Sequence, residues 1–173
     1  MSTVFERRPL TQAVKAALEA VQVGVPGGSP SDTQDALVGL GTVPIGAGWG
    51  EIDPNAPGAY FVPYFVLNTL TAVPAQDSGS LANPQEDWHV PYSVMSFGVT
   101  HDQAEWIGDK GRVAIGTLKG EILLCGASNY KVQQVWTSQL GGATRIPASD
   151  PPYYAQSDAG TLWMAKRRTP PGP

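Results

Sequence analysis

Cysteine is almost missing from this chain, with Cys125 the single one in 173 residues. One thiol excludes an intramolecular disulfide and a thiolate metal cluster, and its setting in EILLCGAS marks it as a small buried hydrophobe. Histidine is nearly as scarce: His89 and His101 are the two present, fewer than the three protein ligands a catalytic zinc usually takes. Long apolar runs are lacking as well, and none approaches the ~18 residues of a membrane-crossing helix. The opening MSTVFERRPL has no apolar core of a signal peptide, so export is not expected. Sequence signatures of catalysis are also missing. There is no G-x-S-x-G elbow, no Walker loop, and no G-x-G-x-x-G leading into a helix. GLGTVPIGAGWG is rich in glycine but runs into EIDPNAPG, a poor helix start. Aromatics interleaved with basic residues, as a single-strand nucleic-acid binder would carry, do not occur.

Basic residues show the most informative gap. From Ala16 to Asp109 there is no Lys or Arg, while eleven acids fall in the same span. From Lys110 onward eight bases face three acids, within a net charge of −4. Such a division predicts separate acidic and basic faces unless the fold interleaves the halves, and it suits a subunit that stacks or rings with its own copies.

What remains is the composition of a globular chain. Hydrophobic residues make up 42%, and five Trp argue against disorder. The length predicts one domain over 1–168, able to bury a real core, with TPPGP at 169–173 a flexible tail. Twenty Gly and sixteen Pro predict many turns and long loops, chiefly 23–58 and 72–89.

Leu10, Val14, Ala17, Leu18 and Val21 recur at helical spacing in PLTQAVKAALEAVQ, with Thr11 a candidate N-cap. Short strands are possible around Leu37–Ile45. YFVPYFVLNTL (60–70), PYSVMSFGVT (91–100) and YKVQQVWTSQL (130–140) read as strands, and YYAQSDAGTLWMAKRR offers one or two more. The order of elements predicts an α+β fold: a mostly antiparallel sheet packed against two main helices, with long Gly/Pro-rich loops.

GVTHDQAEWIGDKGRVAIGTL (98–118) gathers most of the residues that could do chemistry. Thr100 and Gln103 form a T-x-x-Q capping box, and Asp102 and Glu105 complement the positive end of a helix that begins there. These acids therefore have a structural use before any catalytic one. Ala104, Ile107, Gly108, Gly111, Ile115, Leu118 and Ile122 fall on one stripe. Each glycine costs ~1 kcal/mol against Ala in a helix, so the pair calls for close approach to the sheet or to a neighbouring helix. Trp106 and Val113 share a second face, where a Trp covers a loop, fills a secondary core or meets another subunit. His101 and Glu105, at i and i+4, are too few to hold a metal.

The arrangement resembles the tail terminator proteins of long-tailed bacteriophages, especially those of actinobacterial hosts. The resemblance rests on LTQAVKAALEA, the approach NAPGAYFVPYFVL, the strand-to-helix run SFGVTHDQAEWIGDKGR (96–112), YKVQQVW, and the closing YYAQSDAGTLW (153–163). It covers most of the chain as a pattern of order. It implies a subunit of a hexameric ring at the head–tail junction of the virion, made in the host cytoplasm. Such a ring caps the tail-tube protein, ends tube polymerisation and meets the stopper or neck proteins of the head, with no catalysis, cofactor, metal or membrane. DNA would pass its lumen without specific binding, which lumenal acids would favour. On this reading Trp106, Lys110, Arg112 and Val113 are the expected subunit contact. Lys166, Arg167 and Arg168 form a basic stretch for a partner.

Rival readings are a head–tail stopper or adaptor, a minor tail subunit, a small metal-dependent hydrolase using His89, His101 and nearby acids, and a β-rich domain binding a ligand through Tyr60, Phe61, Tyr64 and Phe65.

Overall fold

The computed structural model describes residues 5–25, 29, 31–49, 60–74, 87–147, 149 and 151–167. Helix α1 is Arg8–Glu19, with Leu10, Val14 and Leu18 buried, as its apolar stripe predicts. Thr11 is not its cap. Pro9, whose φ is preset for a first turn, lets the helix start earlier, with Arg7 at the N-cap position. Thr11 instead joins its hydroxyl to that of Thr69 at 2.8 Å. Two short strands follow, β1 (Gln22–Gly24) and β2 (Thr33–Asp35), paired as a separate antiparallel ribbon.

The remaining strands share one sheet. They are β3 (Leu37–Leu40), β4 (Tyr64–Thr69), β5 (Val73–Pro74), β6 (Asp87–Gly98), β7 (Ile122–Cys125), β8 (Ser128–Leu140), β9 (Thr144–Arg145) and β10 (Tyr154–Lys166). Their order is β3-β4-β6-β10-β8-β7, with β5 also beside β6 and β9 beside β10. Among the described residues only β3 and β4 run parallel, and every other pairing is antiparallel. The fold is thus α+β with a mostly antiparallel sheet, and the sheet dominates it. β10 lies between β6 and β8, so the basic C-terminal half is threaded into the acidic N-terminal half.

Several expectations need correction. β6 begins at Asp87 and β5 pairs with its start, so the segment 72–89 is not a loop throughout; its residues 75–86 lie outside those described. The 23–58 segment carries a strand where one was expected, β3 at Leu37–Leu40, and also the β1–β2 ribbon, which was not expected; its residues 26–28, 30 and 50–58 fall outside. The last segment forms one continuous strand of 13 residues. Gly160 looks like a break in sequence, but the Tyr92 ring lies over it and fills the place of the missing side chain. Ile122 does not continue the helical stripe: α2 ends at Gly116, and Ile122 opens an edge strand with its side chain exposed.

Helix α2 is His101–Gly116. The Gln103 backbone N–H donates to Thr100 Oγ1 at 3.1 Å, and the Gln103 side-chain oxygen accepts from the Val99 backbone N–H at 2.8 Å. Both arms of the capping box are made, the second one residue earlier than the standard pattern. Its two glycines sit where close approach demands them. A Cβ at Gly108 would come within 2.5 Å of the Gln156 amide on β10, and one at Gly111 within 2.8 Å of the Phe65 ring on β4.

The main core lies between both helices and one sheet face, where Phe65, Leu67, Val90, Tyr92, Val94, Leu162 and Met164 meet Leu10, Leu18, Ile107 and Ile115. Cys125 is buried in it, as expected, and burial pushes its thiol up to about 11. A second cluster of Phe61, Tyr64, Val66, Phe97 and Ala155 lies on the opposite face, with Trp49 and Ala47 packed against it. Tyr64 and Phe65 are therefore core side chains, and burial pushes the Tyr64 phenol up to about 12.

Candidate interaction surface on the second helix

With Ala104, Ile107, Gly108, Gly111 and Ile115 turned inward, the 3.6-residue period of α2 turns Trp106, Lys110 and Val113 outward together. Trp106 is 45% and Val113 70% exposed. These three do not stand on a bare helix. With Val21 at the end of α1 and Gly24 and Thr33 of the β1–β2 ribbon, they line an open groove of about 560 Å³. Lys110 Nζ stands 5.8 Å from the centroid of the Trp106 ring, close enough for a cation–π contact. The groove thus has an apolar floor and one cationic rim.

Arg112 stands apart from this group. Its guanidinium pairs with Asp109 one turn back and donates from Nη1 to Asp158 of β10, at 3.1 and 3.2 Å from the two carboxylate oxygens. Asp158 is 3% exposed. It also accepts from Gln156 Nε2 at 3.0 Å and from the Gly141 backbone N–H at 3.3 Å, so a buried charge meets a full set of donors. Burial, aided by the Asp158 carboxylate, raises the Tyr92 phenol above its usual range, against a hydrogen bond with Thr137 that lowers it. The network fastens α2 across β10 and β6.

The basic stretch is divided. Lys166 ends β10 opposite Tyr130, and the Arg167 backbone N–H donates to the Asn129 carbonyl at 2.8 Å. Arg168 and the tail 169–173 lie outside the described residues.

The two imidazoles sit near opposite ends of β6. His101 stands beside Tyr154, which pairs with Gly98, nine positions along β6 from His89; at ~3.3 Å per position the two are roughly 30 Å apart, so they cannot share an ion. His101 is half-exposed, with Nδ1 3.4 Å from Asp102 and Nε2 3.5 Å from Glu105. Among the described residues no group of three or more His, Cys, Asp or Glu is placed to hold a metal ion, and no helix is long and apolar enough to cross a membrane.

Sequence reasoning missed a second surface. His89 lies edge-on to Trp136 and Trp163, whose rings stack with centroids 6.0 Å apart and planes within 8°. All three lie on the sheet face turned away from the helices. Period-2 alternation in β6 and β10 could have placed His89 and Trp163 on that face. A bulge at Gln133, where the β8–β10 register shifts, hides the matching parity of Trp136.

Compared with known proteins, the chain matches no family model and no curated sequence.

Proposed function

We propose that this chain is a structural subunit of the phage tail-terminator type, which assembles into a ring, caps the tail tube and joins it to the head through neck proteins. The observation that carries this reading is the groove on α2. It collects an exposed Trp, a Val and a Lys on one face, the mixture of aromatic anchor, apolar floor and charged rim that protein interfaces use. Two further features support it. The α+β arrangement keeps both helices on one face of the sheet, so the subunit has unlike sides, as head-to-tail contacts in a ring require. Of the residues that could have served a hydrolase, His89 and His101 stand near opposite ends of β6, and Asp102 and Glu105 are exposed on the first turns of α2 beside His101. On this reading the molecule acts by shape and self-association, and DNA passes its lumen without a specific site.

Native mass spectrometry and electron microscopy of the purified chain test the proposal. A closed oligomer of defined mass is expected, and Trp106→Ala or Val113→Glu should shift it to smaller species while leaving far-ultraviolet circular dichroism unchanged. A strictly monomeric chain that neither binds nor shortens tail tubes would refute it.

A further inference from the structure

The turn between β3 and the Gly48–Val62 bridge has an unusual tip. Turn tips are ordinarily built from Gly, Asn, Asp and Ser, whereas residues 42–45 read Thr-Val-Pro-Ile. Val43 is 58% and Ile45 99% exposed. This apolar tip is firmly held. Gly41 N–H donates to the Leu67 carbonyl at 3.0 Å, Ala47 N–H to Pro44 at 3.2 Å, and Gly48 and Val62 exchange backbone bonds of 2.9 and 2.8 Å. Gly41, Gly46 and Gly48 take φ of 70°, 80° and 71°, a conformation open to glycine at little strain. A fastened turn that exposes two branched apolar side chains is preorganised for docking, because little entropy remains to be lost on binding.

We propose that this turn on one copy of the chain seats in the Trp106–Val113 groove of the next, with Val43 and Ile45 as the inserted side chains. The inference rests on the ring reading and specifies its contact. Three observations select a second copy as the occupant. First, the two surfaces cannot meet within one chain. Val38 of β3 points into the core beneath the helices, while Leu37 packs on the opposite face with Ala47 and Trp49. By alternation Gly39 faces that side too, and there it lies under Thr42 and Pro44. The turn therefore sits on the face away from the helices, and the groove opens on the outer side of α2. Second, the exposed side chains of the turn are apolar, Val21, Trp106, Val113 and Ala114 give the groove an apolar floor beside Gln22 and Thr33, and its volume of about 560 Å³ has room for the two side chains. Third, the turn lies in the base-free span 16–109, so it brings no cation against Lys110, which stands at the rim of the groove. A contact between unlike surfaces is heterologous, and it closes into a ring when the rotation allows.

Paired cysteines test the contact in the full chain, against the buried and unreactive Cys125. The Ile45→Cys/Val113→Cys chain, treated with a short bismaleimide, should give a ladder of covalent oligomers ending at the ring number. Ile45→Cys alone should give none, and equal mixing of the two single variants should give dimers of unlike chains. Ile45→Asp should leave the melting temperature of the unassembled chain unchanged and raise the concentration needed for assembly at least tenfold. Rings that form without cross-linking and tolerate Ile45→Asp would overturn this contact while leaving the ring reading intact. A chain that stays monomeric at all concentrations would overturn both.

Discussion

Arg112→Met separates the two roles open to Arg112, a contact between subunits and a strut within one. Asp158 is 3% exposed, and among the described residues Arg112 is the one cation paired with it, at 3.1 Å; the Arg112 side chain is 27% exposed. Removing one partner of a buried ion pair leaves the other charge uncompensated, at a cost of about 3–5 kcal/mol. Here the guanidinium is partly in water, and Asp158 retains the Gln156 and Gly141 donors, which lowers the expectation to about 2–3 kcal/mol. For a chain of this size each kcal/mol moves the melting temperature by about 2–4 °C, so Arg112→Met should melt roughly 4–12 °C lower. Asp109 is paired to the same guanidinium, but its side chain is 65% exposed, so Asp109→Asn should lose only about 0–1 kcal/mol. Calorimetry across a concentration series checks both. The deficit of Arg112→Met should be the same at every concentration, because its partner lies in the same chain. A double-mutant cycle with Asp158→Asn should return a coupling of about 1–3 kcal/mol. An Arg112→Met chain that melts within about 1 °C of the parent but fails to assemble would refute the strut and return Arg112 to the interface.

Four other outcomes follow from the same geometry. Gly111→Ala should destabilise by about 1–2 kcal/mol despite better helix propensity, because its Cβ would meet Phe65 at 2.8 Å and Leu18 at 3.2 Å. Gly116→Ala, with nothing within 4 Å, should instead stabilise by up to about 1 kcal/mol, and paired urea melts compare the two. Thr100→Ala should lose about 1 kcal/mol and speed hydrogen exchange of the Gln103 amide, the one its hydroxyl caps. Cys125 sets a pH dependence. Burial moves its thiol from 9.0 to about 11, so its contribution is fully present below about pH 9 and is lost as pH rises through 11. Guanidinium midpoints should fall across that window, and less steeply in Cys125→Ala; a parallel fall in both chains would show that Cys125 is not the cause.

The parts of this molecule that sequence discloses are those whose signal is local. The capping box follows from T-x-x-Q at the junction of strand and helix, and the inward stripe of α2 and the outward pairing of Trp106 with Val113 follow from a 3.6-residue period over sixteen residues. The alternation of Tyr92, Val94 and Ser96 likewise follows from a period of two. Short elements carry no such period. β1 and β2 span three residues each, β2 is Thr-Gln-Asp, and β7 spans four; packing and pairing, not propensity, make them strands. The parallel pairing of β3 with β4 joins segments separated by a long connection, which no local pattern announces. The fate of Arg112 was hidden for the same reason. Asp158 is 46 positions away, and only the placement of β10 beside β6 brings the two together. The groove combines both cases: its α2 wall was legible from periodicity, while its opposite wall is the unforeseen β1–β2 ribbon. A helix face read from sequence can show that a side chain points outward, but whether it borders a flat surface or a groove depends on what the rest of the chain places beside it. That dependence is why a Trp and a Val seven residues apart acquire a shape that another copy could fill.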